Sequence, residues 1–222
     1  MTPLTVTMTR TIPSFLALLL GAMALLGAAR AAVEDKTPSP DPAAGQLLVA
    51  SRAIGDPRFR HSVILLLRHD EDGAFGVMIN RPVGERPLTD FLSDPGDVSK
   101  DDHKSGREGA VGGTIKVYLG GPVQPELGLV IHSTDYHRPE TRPVTDRLAV
   151  TGSKEILRDI AGHKGPAKYL FVLGYAGWGK GQLDGEIARH DWLTAEADPA
   201  LVFDEDRDAV WQTALARHTR EL

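Results

Sequence analysis

The amino-acid sequence predicts an α+β fold built on a mixed sheet. Strand-length apolar runs come first and in pairs, whereas helical periodicity is confined to the later part of the chain. One run, "KYLFVLG" at 168–174, is apolar on every residue between its lysine and its glycine. A strand of that composition needs cover on both faces and belongs at the centre of a sheet. No repeat of fixed period is present. The length of 222 residues, with 41% apolar and 25% charged side chains, fits one domain or a tightly joined pair.

The first element is an export signal over residues 1–31. A charged start at Met8–Arg10 leads into an uncharged apolar stretch, Phe15–Leu26, and then Ala29-Arg30-Ala31, with small residues at the two positions a signal peptidase inspects. The stretch is shorter than the roughly 20 residues a membrane-spanning helix needs, and Pro13 interrupts its approach. The expectation is a periplasmic or secreted protein with no membrane span after signal removal. The alternatives are a signal anchor, or a cytoplasmic protein whose true start lies downstream. Residues 32–44, with three prolines, read as an extended linker.

The folded domain is expected over 45–222. "QLLVAS" and "HSVILLLRH" (61–69) are strands, and the second meets "AFGVMIN" (74–80) across the polar turn Asp70–Gly73. "PLTDFL" makes one helical turn. Residues 93–114 carry charge and glycine with almost nothing to bury, and read as a mobile loop. "IKVYLGG" and "LGLVIHS" follow as strands separated by Gly-Pro-Val-Gln-Pro-Glu, and "RLAVTG" is another. Ser153 is placed to cap a helix, "KEILRDIAGH", whose Ile156, Leu157, Ile160 and Ala161 share one face. Further helices are expected near 182–192 and 206–219, the latter with Val210, Trp211, Ala214 and Leu215 inward.

Composition excludes several function classes. A net charge of −5 without a cluster of Lys and Arg argues against nucleic-acid binding, because Asp56 sits among Arg52, Arg58 and Arg60. Cysteine is absent, so there is no disulfide, thiolate nucleophile or Cys-based zinc site. The eight histidines lack ligand spacing, and no metal or other cofactor is expected.

The sharpest motif is "GYAGWGKG" (174–181), where Gly174, Gly179 and Lys180 fit the front of a phosphate-binding loop. The next residue should be a hydroxyl ligand for magnesium, and here it is Gly181. Tyr175 and Trp178 also place rings inside a loop that must close around phosphate. The motif therefore reads as glycines that let backbone pack closely beside an indole. Nucleophilic catalysis has no support: there is no G-x-S-x-G, and His132 and Ser133 face opposite sides of a strand. His132 reads as a satisfied core residue. Asp184 and Glu186 diverge on a helix and do not pair as acid and base.

Three strand exits, "MINRPV", "YLGGPVQPE" and "GYAGWGKGQL", combine rigid turns with polar or aromatic side chains. Gathered at one end of the sheet, Asn80, Arg81, Gly120, Gly121, Tyr175, Trp178 and Gln182 would line one cleft.

These strings, in the order "GQLLVASRAIGDPRFRHSVILL", "GAFGVMINRPV", "YLGGPVQPELGLVIHS", "LAVTGSKEIL", "GYAGWGKGQLDGEI" and "WLTAEADPALVFD", closely resemble the AlgH/YqgE family of bacterial proteins. The resemblance runs from about Gly45 to Ala216. It implies a single compact domain with a branched, partly barrel-like sheet surrounded by helices, and no established activity. Family members often have proline at the position of Lys180, which agrees with the physical case against a phosphate loop. They are usually cytoplasmic, unlike this chain with its export signal, and the 93–114 loop is longer than the family leads one to expect.

The functional expectation is a noncatalytic binding or regulatory domain that offers the cleft to a small molecule or a protein. A hydrolase of a phosphorylated or acyl substrate, polarised by Asn80, Arg81, His132 and Gln182, is the alternative. Transcriptional regulation, the label many family members carry, is a third reading, disfavoured by the missing basic face and helix-turn-helix.

Overall fold

The computed structural model describes residues 44–92 and 112–218. The signal at 1–31, nearly all of the linker at 32–44 and the 93–114 loop, apart from its last three positions, lie outside the described residues.

Among the described residues, ten strands, five short α-helices and a 3-10 turn at Pro57–Phe59 follow in chain order. They are β1 (Gln46–Ala50), β2 (Val63–Asp70), β3 (Gly73–Met78), β4 (Pro82–Pro87), α1 (Thr89–Leu92), β5 (Thr114–Leu119), β6 (Val123–Ser133), β7 (Arg142–Pro143) and β8 (Leu148–Thr151). Then come α2 (Lys154–Ala161), β9 (Tyr169–Gly179), α3 (Gln182–Ala188), β10 (Trp192–Glu196), α4 (Pro199–Val202) and α5 (Arg207–His218). The sheet runs β10-β1-β2-β3-β9-β6-β8-β7, with β5 branching from β9 and carrying β4 on its far side. It is curled into a half-barrel, and the described residues make one compact unit. None of their helices is long and apolar enough to cross a membrane.

The predicted first hairpin is present, with Asp70 opposite Gly73. Gly73 has φ +138°, and a Cβ there would lie 2.2 Å from the Trp178 carbonyl oxygen, so only glycine fits. Period-two alternation then sorts the strands into two layers. Leu47, Val49, Val63, Leu65 and Val77 face one side and pack against Leu201, Val202, Val210, Trp211 and Ala214 of α4 and α5. Leu48, Ala50, Ile64, Leu66 and Met78 face the other and pack with Trp178, Leu183 and Trp192. A third cluster sets Ile115, Val117, Val130 and Phe171 against Ile156 and Leu157 of α2. Each fully enclosed side chain of this size contributes about 1.5–3 kcal/mol.

The structure corrects several expectations. The helix expected over 182–192 stops at Ala188, and residues 192–196 form β10, which pairs antiparallel with β1. Ser153 stands at the N-cap of α2, but its hydroxyl does not cap the helix. The Gly-Pro-Val-Gln-Pro-Glu spacer is largely strand, because β6 begins at Val123 and reaches Tyr175 before its register shifts. Gly174–Gly179 is not a loop: it is the second half of β9, with Gly76 opposite Ala176 and Gly73 opposite Gly179.

Candidate functional site

The three strand exits do converge, but through their backbones. The Leu119 N–H donates to the Arg81 carbonyl at 2.8 Å, the Gly120 N–H to Leu173 at 2.7 Å, and the Met78 N–H to Gly120 at 2.7 Å. Gly120 and Gly121 are therefore packing glycines at the branch of the sheet. A Cβ on Gly120 would lie 2.2 Å from the Gly174 oxygen, and one on Gly121 would lie 2.0 Å from the Tyr175 carbonyl carbon. Gly174, with φ +72°, bends β9 here. Before the bend the strand lies between β5, parallel, and β6, antiparallel; beyond it, β9 pairs with β3. With its residues paired in a ladder, the 174–179 stretch has no loop to wrap a phosphate. Only Gly181, at φ +67° before α3, turns the chain.

From this shared backbone the side chains part into two hollows. Tyr175 enters neither lining; its ring packs on Phe75, with centroids 4.6 Å apart.

The first hollow, about 410 Å³, takes Trp178 and Gln182. Trp192 stands edge-on to Trp178 at 6.0 Å, and Phe59 edge-on to Trp192 at 5.6 Å, so one wall is aromatic. At its back, Glu186 Oε2 accepts both indole N–H groups, from Trp178 and Trp192, each at 2.8 Å. Its Oε1 accepts from Gln182 Nε2 at 2.9 Å, while Gln182 Oε1 receives the Gly179 N–H at 3.2 Å. The other charges are paired as well. Arg58 meets Asp56 at 2.6 Å and Arg189 meets Asp191 at 3.2 Å. The hydrogen bonds from Arg58 hold the Asp56 carboxyl below the usual carboxylate range.

The second hollow, about 570 Å³, takes Asn80 and Arg81 together with Arg60, His61, Arg207 and Trp211. Asn80 is a latch: its Oδ1 accepts the Val63 N–H and its Nδ2 donates to the His61 carbonyl, both at 2.9 Å. Arg81 donates to the Arg60 carbonyl at 2.5 Å. His61, which the sequence placed in a strand, instead precedes β2 at φ +56°, its ring 4.2 Å from that of Trp211. The indole of Trp211 is anchored by its N–H to the Ala50 carbonyl at 2.8 Å.

His132 belongs to neither hollow. It is fully buried, with Nδ1 2.9 Å from the Ser133 carbonyl and Nε2 2.9 Å from Thr151 Oγ1. Burial pushes its pKa below the ordinary histidine value, against the opposing pull of the Ser133 carbonyl. The four residues of the hydrolase alternative are thus not brought together. Sequence reading missed Glu186, Trp192, Arg60, Arg207 and Trp211. It had set Trp211 inward on its helix, Glu186 on the helix after the glycine run and Arg60 beside Asp56, readings that are ordinary for such residues and point to no site.

Comparison with known proteins places these features in a family. A model described as AlgH-like matches residues 47–222. A UPF0301 protein of Rhizorhabdus wittichii is 42% identical over 175 residues, covering 77% of this chain and 87% of the relative. One of Methylococcus capsulatus is 44% identical over 171 residues, covering 77% and 88%. Among solved structures, the solution structure of the AlgH protein from Pseudomonas aeruginosa superposes with a TM-score of 0.64 at 36% identity, covering 81% of this chain and 91% of that one. A crystal structure of a protein from Corynebacterium diphtheriae, at 23% identity and a TM-score of 0.57, shares the fold and covers 80% and 88%. With the fold, the ordered strings and these matches in agreement, the chain belongs to the AlgH-like family.

Proposed function

We propose that this chain is a noncatalytic binding domain, and that the hollow beside Trp178 takes a small organic ligand with a flat apolar face and a polar edge. One observation carries the reading: every ionised side chain in that hollow already has a partner. Glu186 accepts three hydrogen bonds, Asp56 is held by Arg58 and Asp191 by Arg189. A general acid or base must be available to exchange a proton with substrate, and a carboxylate accepting from two indoles is not. The same fixed polar groups beside an aromatic wall, in a hollow of about 410 Å³, have the size and make-up of a preformed ligand pocket.

The test uses the three tryptophans of the chain as reporters. In a library of aromatic and heteroaromatic fragments, binders should shift the indole N–H resonances of Trp178 and Trp192 and leave that of Trp211 in place. Gln182→Ala, which removes an exposed side chain from the rim, should weaken them by about tenfold, the equivalent of one lost hydrogen bond. A library in which no member moves Trp178, or binding unchanged by Gln182→Ala and by Arg189→Ala alike, would refute the proposal.

A further inference from the structure

Arg207 is the most unusual charged residue of the described chain. It is only 6% exposed, yet among the described residues no carboxylate pairs with it. Its Nη1 donates to the Val202 carbonyl at 2.8 Å, and its guanidinium carbon stands 5.2 Å from the centre of the Tyr118 ring. Its Nε is buried without any hydrogen-bond partner. A carbonyl and a ring face are neutral, so a cation removed from water is left without a counterion. Buried charges are ordinarily paired, and the desolvation of an unpaired one is among the largest unfavourable terms a fold can carry.

Arg207 lines the second hollow, and so do Arg81 and Arg60. Three arginines therefore line this hollow, and Asp208 is the one acidic residue of its lining; Arg207 also borders a neighbouring hollow, beside Tyr118, Asp204 and Glu205. This local excess of positive charge lies on a chain whose net charge is −5. The hollow is also rigidly framed. Asn80 ties the His61 carbonyl to β2, and His61 keeps a positive φ that an L-residue seldom adopts, beside the ring of Trp211. Guanidinium groups present planar N–H forks that match carboxylate and phosphate oxygens and stay charged at every physiological pH.

We propose that this hollow binds a small oxyanion, a phosphate or carboxylate group carried by a soluble molecule, with Arg81 and Arg207 as its principal partners and Arg60 at the rim. The anion supplies the counterion that the fold withholds from Arg207. The site is independent of the aromatic hollow.

Calorimetric titration of the full chain with inorganic phosphate and with succinate, at matched ionic strength and with chloride as the reference, tests this. Saturable binding of at least one of the two is expected, accompanied by a rise in melting temperature that chloride does not produce. Phosphate alone binding identifies a phosphoryl group, succinate alone a carboxylate. Arg81→Gln should weaken binding at least tenfold while far-ultraviolet circular dichroism stays unchanged, and Gln182→Ala should leave it unaffected. Arg207→Lys keeps the charge but removes the fork and should also weaken binding; if that variant fails to fold, Arg81→Gln decides alone. The proposal is overturned if neither anion gives more heat or stabilisation than chloride, or if Arg81→Gln binds as tightly as the unaltered chain.

Discussion

Around His132 the hydrogen bonds run in one direction. The Ser133 carbonyl can only accept, so Nδ1 carries the proton and the neutral ring leaves Nε2 to accept from Thr151. Thr151 then accepts from Thr141, 2.8 Å away, and Thr141 accepts the Arg138 N–H at 3.0 Å. Protonation of the ring would make Nε2 a donor and reverse the Thr151 hydroxyl, leaving the Thr141 proton without an acceptor. Burial is the cause of the lowered pKa, and this chain of hydroxyls suits the neutral ring that burial favours. Because the folded state holds His132 below its unfolded value of about 6.5, the unfolded chain binds more protons just beneath that pH. The stabilisation is complete above about pH 6.5 and declines as the pH falls toward the folded pKa. Thermal melts between pH 5 and 7.5 should show this decline. His132→Gln should cost about 1–3 kcal/mol at neutral pH and flatten the slope; an unchanged slope would assign the acid sensitivity to other groups. The sequence had marked His132 as a core residue from its strand position alone, whereas its partner Thr151, nineteen residues away, and Thr141, ten residues before Thr151, were beyond reach of any local pattern.

At the scale of elements, β9 explains what was legible and what was not. Its first half was recognisable because unbroken apolar character needs two covered faces: Leu170 and Val172 join the core under α4 and α5, and Phe171 the one under α2. Its second half was hidden by glycine, which in isolation signals a turn. Here Gly174 on β9, together with Gly73, Gly120 and Gly121 facing it, lacks the Cβ that so close a backbone approach would forbid. β10 was obscured for a similar reason: "WLTAE" is too short and too mixed to declare itself before β1 is set beside it. Only the backbone meeting of the three strand exits was foreseeable; their side chains diverge because β9 bends at Gly174. Gly121 carries the test. Gly121→Ala would drive a methyl into the Tyr175 backbone, and urea denaturation should register at least the ~1–3 kcal/mol of an overpacked site. Gly55→Ala, with no atom within 4 Å of the added carbon, should change stability by less than about 0.5 kcal/mol. Equal tolerance at both positions would contradict the packing described for the branch.

For the molecule as a whole, an acidic chain with arginines gathered in one hollow was invisible to composition, because Arg60, Arg81 and Arg207 are brought together only by folding. Export by way of residues 1–31 remains our proposal for where the protein works. The intact mass of the protein from its own host should correspond to a chain beginning at Ala32, and an unshortened chain in the cytosolic fraction would refute it. The pairing of β1 with β10 adds a constraint on biosynthesis. Gln46 lies opposite Glu196, so the first strand acquires its second neighbour only after almost the entire polypeptide has been made. Until then one edge of β1 is an open template for strand addition, and long-range pairing of this kind forms slowly. A ribosome-bound chain that stops short of Trp192 would thus hold an unfinished sheet, the state that a holding chaperone recognises and that a narrow protein-conducting pore can still accept.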